Sequence, residues 1–443
     1  MLRIGLSKVD ITPRRSVSLA GYFNDRKSRG ILDRLYARTL LLSDNKTTLC
    51  LINLDLLGLA DEDVDIIQQR LKRKFSLWPQ NIFISSTHTH TAPAPFTVFG
   101  ARREKRYIKE LFSLIEKAVK IASERMAEGE IHIARIREKG LSFNRRYFMK
   151  GGKVLTNPPK GSPDIIKPEG PVDNLITSLI FTSGRRIKGM LVQATNHVDT
   201  IGGNLISADW PGHLARELNK KLEGRFPVLV LTGTAGNINH YNPYLLKGQS
   251  SYAESRRIGQ AYAGLVVKSL AKKSILKTDR LSAMSQRLSV PYRKVSSSEI
   301  KEAGEILKVR VPASSKDLTS EDLAKGDILV KRLFSGALLD FVKAREKEKK
   351  GTVNITVFKI GELAVIGLPG EPFVEIGLAI KKKSRFPYTL VTGNTNGEAG
   401  YIPLKKHFQH GGYETATHLY NRFSEDLGKR IIRESINMLK KGE

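Results

Sequence analysis

Short apolar, β-branched runs that alternate with stretches of helical spacing constrain this chain more than any other feature. Thr39-Leu-Leu-Leu42, Leu49-Cys-Leu-Ile-Asn-Leu54 and Ile82-Phe-Ile84 read as buried strands, while residues 62–74 and 105–128 carry a helical pattern. That alternation predicts an α/β fold of layered, mixed β-sheets flanked by helices. Asp61, Glu62 and Asp63 suit a helix start, because acidic groups there complement the helix dipole. Strand patterns return at residues 190–194 and 227–231 with a helix over 212–222 between them, and again at 352–360 and 363–368 before an amphipathic helix over 422–441. Residues 135–175 contain Gly151-Gly152, Asn157-Pro-Pro159 and Pro163, and read as loops that line a cleft. Residues 296–350 read as a mostly helical, exposed excursion, opened by the capping box Ser296-x-x-Glu299 and closed by a charge run at 343–350. No internal repeat and no low-complexity linker divides the sequence, which is expected to form one unit over residues 1–443.

Bulk properties exclude several classes. With 40% hydrophobic residues the chain can bury a sizeable core, yet its longest apolar runs, such as Val228-Leu-Val-Leu231, fall far short of the ~20 residues that span a bilayer. The opening Met1-Leu-Arg-Ile-Gly-Leu-Ser7 enters a strand pattern at once, without a signal-peptide pattern, so a cytoplasmic protein is expected. The single cysteine, Cys50, lies in a core strand pattern and fits a reducing compartment. The formal charge of +30, from 74 Lys and Arg against 44 Asp and Glu, can attract nucleic acid, anionic lipid or an acidic substrate. Its basic residues are dispersed and not interleaved with aromatics, so nucleic acid is not the expected partner; an anionic membrane surface is kept as one.

Asn81-Ile-Phe-Ile-Ser-Ser-Thr-His-Thr-His-Thr-Ala-Pro93 places two of only nine histidines, His88 and His90, directly after a strand-like run. Side chains two apart on a strand share a face, so both imidazoles can meet one ion. His197 also follows an apolar run, and Glu371 follows another after a Pro-Gly turn. Strand ends in α/β sheets are where ligand sites form, and two imidazoles with a carboxylate match a catalytic zinc set that leaves one position for water.

The order of these segments resembles the neutral/alkaline non-lysosomal ceramidase family. Val9-Asp-Ile-Thr12, Leu19-Ala-Gly-Tyr22, Thr87-His-Thr-His-Thr-Ala-Pro93, Asn196-His197, Asn204-Leu-Ile-Ser-Ala-Asp209, Pro369-Gly-Glu371, Gly400-Tyr401-Ile-Pro403 and Gly412-Tyr413-Glu414 follow the family's order over nearly the whole chain. The resemblance implies a zinc-dependent hydrolase acting on the amide bond of an N-acyl compound, either a ceramide-like lipid or a smaller N-acylated amine. It implies that His88, His197, Glu371 and Tyr401 hold the zinc, with His90, Arg145 and Tyr413 beside it. Spacing alone does not choose between His88 and His90. The family's catalytic domain is often followed by an immunoglobulin-like domain, which this chain is expected to lack. Asp199 is a candidate to orient an imidazole, or a plain loop-capping aspartate.

The family's Gly-Asp-Val-Ser-Pro-Asn motif, whose serine has been proposed as nucleophile, corresponds here to Gly236-Asn-Ile-Asn-His-Tyr241. Asn239 therefore stands where the serine would be; an amide cannot act as that nucleophile but can donate to an oxyanion. This shifts the expected attack to metal-bound water, with His240 as an additional candidate proton carrier or a loop histidine without a catalytic task. The alternative reading is a non-enzymatic basic protein that binds nucleic acid or an anionic membrane surface.

Overall fold

Within each long strand the apolar side chains alternate between two hydrophobic environments, and that alternation builds the architecture. The structure, a computed structural model, describes residues 1–311, 318, 322 and 325–441. The first unit comprises β1 (Arg3–Asp10), β2 (Tyr36–Ser43), β3 (Thr48–Leu54), α1 (Asp61–Phe75), β4 (Ile82–Ser86) and α2 (Lys105–Glu124). The second comprises β5 (Glu130–Arg137), β6 (Leu175–Ser183), β7 (Arg186–Gln193), α3 (Asp209–Lys221), β8 (Val228–Leu231) and α4 (Tyr252–Ser269). The third comprises β9 (Leu281–Pro291), the inserted helices α5 (Ser297–Lys308) and α6 (Ile328–Lys347), β10 (Lys350–Ile360), β11 (Leu363–Gly367), α7 (Val374–Lys383), β12 (Tyr388–Thr392) and α8 (Leu427–Lys440).

Each unit has the same connectivity. Its first three strands pair antiparallel, and a helix then carries the chain to a fourth strand parallel to the third. The connectivity thus repeats three times along a sequence in which no repeat is read. A unit of this kind needs only apolar alternation and a crossover helix, so its three copies need share no particular amino acids.

Leu40, Leu51 and Phe83 of the first sheet, Leu179, Leu191 and Leu229 of the second, and Phe358, Val365 and Leu390 of the third meet in one central core. The opposite faces pack on each unit's own helices: Leu41 and Ile52 with α1 and α2, Ile180 and Val192 with α3 and α4, Ala364 and Ile366 with α7 and α8. Cys50 is buried on such a face, as expected. The fourth strands are edges, and buried amides from neighbouring units satisfy their backbone. Asn53 donates to Val230 O at 2.9 Å and accepts from Val230 N at 3.0 Å. Gln193 donates to Val391 O at 2.7 Å, and Asn396 accepts from Ile84 N at 2.8 Å and donates to Ile82 O at 2.9 Å.

Residues 135–175 are not purely loops: Arg146–Met149, Val154–Thr156 and Ile165–Pro168 form a small antiparallel sheet. These strands are short, and Gly151 and Gly152 both adopt positive φ between them, so their alternation is too brief to register as a pattern. The expected capping box at Ser296 and Glu299 forms, with both reciprocal hydrogen bonds. The excursion over 296–350 is helical in α5 and α6; its residues 312–317, 319–321 and 323–324 lie outside the described residues. Among the described residues no helix is long and apolar enough to cross a membrane.

Because the first and third strands of a unit run the same way, the segment after the first strand emerges where the parallel pair ends. The segments 11–35, 138–174 and 292–349 thus gather with the carboxyl ends of β3, β4, β7, β8, β11 and β12.

Candidate active site

His88, His90 and His197 meet at that end, their ligand nitrogens within 4.8 Å of one another. His90 Nε2 and His197 Nε2 are 3.1 Å apart, and Glu371 Oε2 lies 3.3 Å from His88 Nε2 and 3.7 Å from His197 Nε2. His88 and His90 do converge, but not as neighbours on a strand face. Strand β4 ends at Ser86, and His88 takes a left-handed conformation with φ of 66°, so a turn rather than a pleat brings the rings together.

Threonines explain why this segment holds its shape. Thr89 and Thr91 both donate to Ser207 O, at 2.8 and 3.0 Å, and Thr89 bridges Val198 beside His197. His90 N donates to Val198 O at 3.1 Å, and Trp210 Nε1 donates to His197 O at 2.8 Å. Gly21, at φ of 108°, admits the His90 ring; a Cβ there would sit 2.5 Å from His90 Cγ. Glu371 follows Gly370, at φ of 58°, and pairs in register with Tyr401, which puts both side chains at the cluster.

The imidazoles are oriented from behind. His88 Nδ1 lies 2.7 Å from Leu57 O and His197 Nδ1 lies 3.2 Å from Ala235 O, so in both rings Nδ1 is engaged by a carbonyl and Nε2 faces the centre. Burial, with the His88 ring beside it, pushes His90 down to about 3, so it is neutral at physiological pH. Burial also takes His197 well below its ordinary value, with Arg145 adding to the effect. Against the cost of burial, the Glu371 carboxylate holds His88 above its ordinary value. Glu371 Oε2 is itself buried without a hydrogen-bond partner among the described residues.

Arg145 is buried, not a surface arginine. Its Nη2 donates to Gly236 O at 2.7 Å, its Nε lies 3.2 Å from Glu414 Oε1, and its guanidinium sits 5.3 and 5.5 Å from the ring centres of Tyr401 and Tyr413. The two phenol oxygens are 3.5 Å apart. Asn239 lines the same cavity, donating to Asn157 Oδ1 at 3.1 Å and accepting from Tyr241 N at 3.0 Å. Asp199 faces His240, with Oδ1 3.2 Å from Nδ1, and both line the cavity. His240 is therefore a buried, paired group; against burial, Asp199 holds it above its ordinary value.

Sequence reading assigned no role to Glu414, which is buried and binds Arg145, Arg146 (2.7 Å) and Thr156 (2.9 Å). Its place directly after Tyr413 was the available signal. The cavity, about 250 Å³, runs from the histidine cluster between Tyr22, Phe96, Phe99 and Tyr420 on one hand and Asn157, Asn239 and Tyr241 on the other.

Fold and site together define a layered α/β protein with a buried histidine–carboxylate cluster at the joined carboxyl ends of its strands, a donor set suited to a divalent metal. The chain belongs to the neutral/alkaline non-lysosomal ceramidase family, whose N-terminal region matches residues 2–223. Neutral ceramidase of Drosophila pseudoobscura pseudoobscura is 24% identical over 244 residues, covering 49% of this chain and 32% of that protein. Neutral ceramidase 3 of Arabidopsis thaliana is 34% identical over 99 residues, covering 21% of this chain and 13% of that one. The matched part thus spans about a third or less of these curated relatives' length. The crystal structure of neutral ceramidase from Pseudomonas aeruginosa shares the fold, with a TM-score of 0.72 at 18% identity over 99% of this chain and 74% of that one.

Proposed function

We propose that this protein is a zinc-dependent hydrolase of the amide bond in an N-acyl compound, a ceramide-like lipid or a smaller N-acylated amine. The observation that carries the reading is the convergence of His88, His90, His197 and Glu371 on one point. The donor set fits a cation: Nδ1 of His88 and of His197 are occupied by carbonyls, their Nε2 atoms face inward, and a buried Glu371 oxygen stands beside them without a hydrogen bond. His88, His197, Glu371 and Tyr401 would hold the zinc. Bound there, it supplies Lewis-acid polarisation of a carbonyl and a water whose pKa falls from 15.7 to about 7.

The remaining work falls to side chains of the protein. Arg145, fixed by Glu414 and Gly236 O, and the Tyr413 hydroxyl stabilise negative charge developing on the substrate carbonyl oxygen. His90, which lines the cavity with its Nε2 3.1 Å from His197 Nε2, is the imidazole in reach to pass a proton from water to the departing amine nitrogen. Asn239 frames the polar wall, its oxygen and one amide hydrogen already engaged.

Metal analysis of the purified protein, followed by a panel of N-acyl substrates with and without chelator, tests the proposal. Stoichiometric zinc and chelator-sensitive hydrolysis are expected. His197→Ala should abolish both zinc binding and turnover, whereas Asn239→Ala should only weaken turnover; full activity in the His197 variant refutes the metal mechanism.

A further inference from the structure

The cavity beside the histidine cluster has walls of two chemistries. One is polar and continuous, with Asn239 bonded to Asn157 and the Tyr241 hydroxyl donating to Pro158 O at 2.9 Å. The other is apolar: Leu57, Phe96, Val98, Phe99 and Tyr420 pack as one cluster. A substrate with one polar and one apolar arm is oriented by that contrast, its apolar acyl arm against the aromatic side.

The aromatic side is closed by a partition. Phe23 and Phe99 stand edge to face with ring centres 5.0 Å apart. Phe334, from α6, packs behind both, 5.4 Å from Phe23 and 5.1 Å from Phe99. Beyond Phe23 and Phe99 lies a second hollow of about 590 Å³ beneath α6, lined by Leu329, Leu333, Gly336 and Ala337; Phe23, Phe99, Leu318 and Tyr420 border both spaces, while Phe334 lines neither and braces the two phenylalanines. The inner cavity, about 250 Å³, falls below the ~300–1,000 Å³ of pockets that enclose a drug-sized ligand. Joined, the two hollows would give the site a longer apolar side for a chain to lie along.

Resting on the amide hydrolysis proposed above, we infer that Phe23, Phe99 and Phe334 limit the acyl group to a short chain, making short-acyl amides of polar amines the preferred substrates. Phe99→Ala removes part of the wall and joins the cavity to the hollow; Phe334→Ala removes its support from α6 and serves if the first variant fails to fold.

The experiment compares acetyl, octanoyl and palmitoyl amides of ethanolamine as substrates of the zinc-loaded protein. For the parent, kcat/KM should fall about tenfold or more from octanoyl to palmitoyl, and in Phe99→Ala this ratio should shrink to about threefold or less. Equal rates on octanoyl and palmitoyl amides in the parent overturn the inference, as does an unchanged ratio in variants that keep the parent's circular dichroism. Calorimetric titration with octanoate and palmitate reads the same partition without hydrolysis. Should no amide be cleaved, the reading of the reaction fails, while a preference for octanoate that disappears in the variants upholds the partition and its persistence overturns it.

Discussion

At the scale of single residues, the candidate site is held by groups that stand behind those facing the cavity. Glu414 is the clearest, a buried carboxylate between Arg145 and Arg146. Burial opposes its charge, but the two guanidiniums, Arg146 foremost, hold it below its usual 4.5. The unfolded carboxylate therefore takes up a proton first as pH falls, so the stability due to Glu414 is complete above about 4.5 and drains away below it. Melting temperature measured against pH should decline on that acid side, and Glu414→Gln should lower the neutral value and flatten the decline. A variant as steep as the parent would show that other carboxylates govern acid stability. The convergence of the candidate residues was legible at this scale: His88, His90, His197, Glu371, Arg145, Tyr401, Tyr413 and Asn239 do come together. Glu414 was not assigned, because a carboxylate that fixes an arginine looks in sequence like any surface acid.

At the scale of elements, β2, β3, β4, α1 and α2 were readable, whereas β5, β6, β9 and α4, long as they are, were not singled out. β3 and α1 match their expected spans closely, since burial on both faces of a strand and an acidic first turn leave strong marks. The small sheet over 146–168 left none. The joints between units were equally silent: Asn53 reads as a polar interruption in an apolar strand, yet it satisfies both backbone groups of Val230. Asn53→Leu leaves those groups buried and unpaired, and should cost about 1–3 kcal/mol in chemical denaturation. A loss of a few tenths or less would mean that the edge of β8 finds other partners.

At the scale of the whole molecule, three units of one topology share a central core and cannot each bury an inner face alone. We expect unfolding as a single transition, with the fluorescence of buried Trp210 in the second unit tracing the same curve as far-ultraviolet circular dichroism of the entire chain. Separated curves would show that a unit survives without its neighbours. The amino-acid sequence by itself determined the layered α/β class, the residue types of a candidate metal site and their place at strand ends, because apolar periodicity and donor chemistry are local properties. Only the tertiary structure decided that the pattern repeats three times, that a left-handed turn at His88 aims the rings, and that α6 backs the cavity wall. Those features depend on contacts between segments hundreds of residues apart, as where Asn396 bonds to Ile84, and no local pattern encodes which distant partner a side chain will meet.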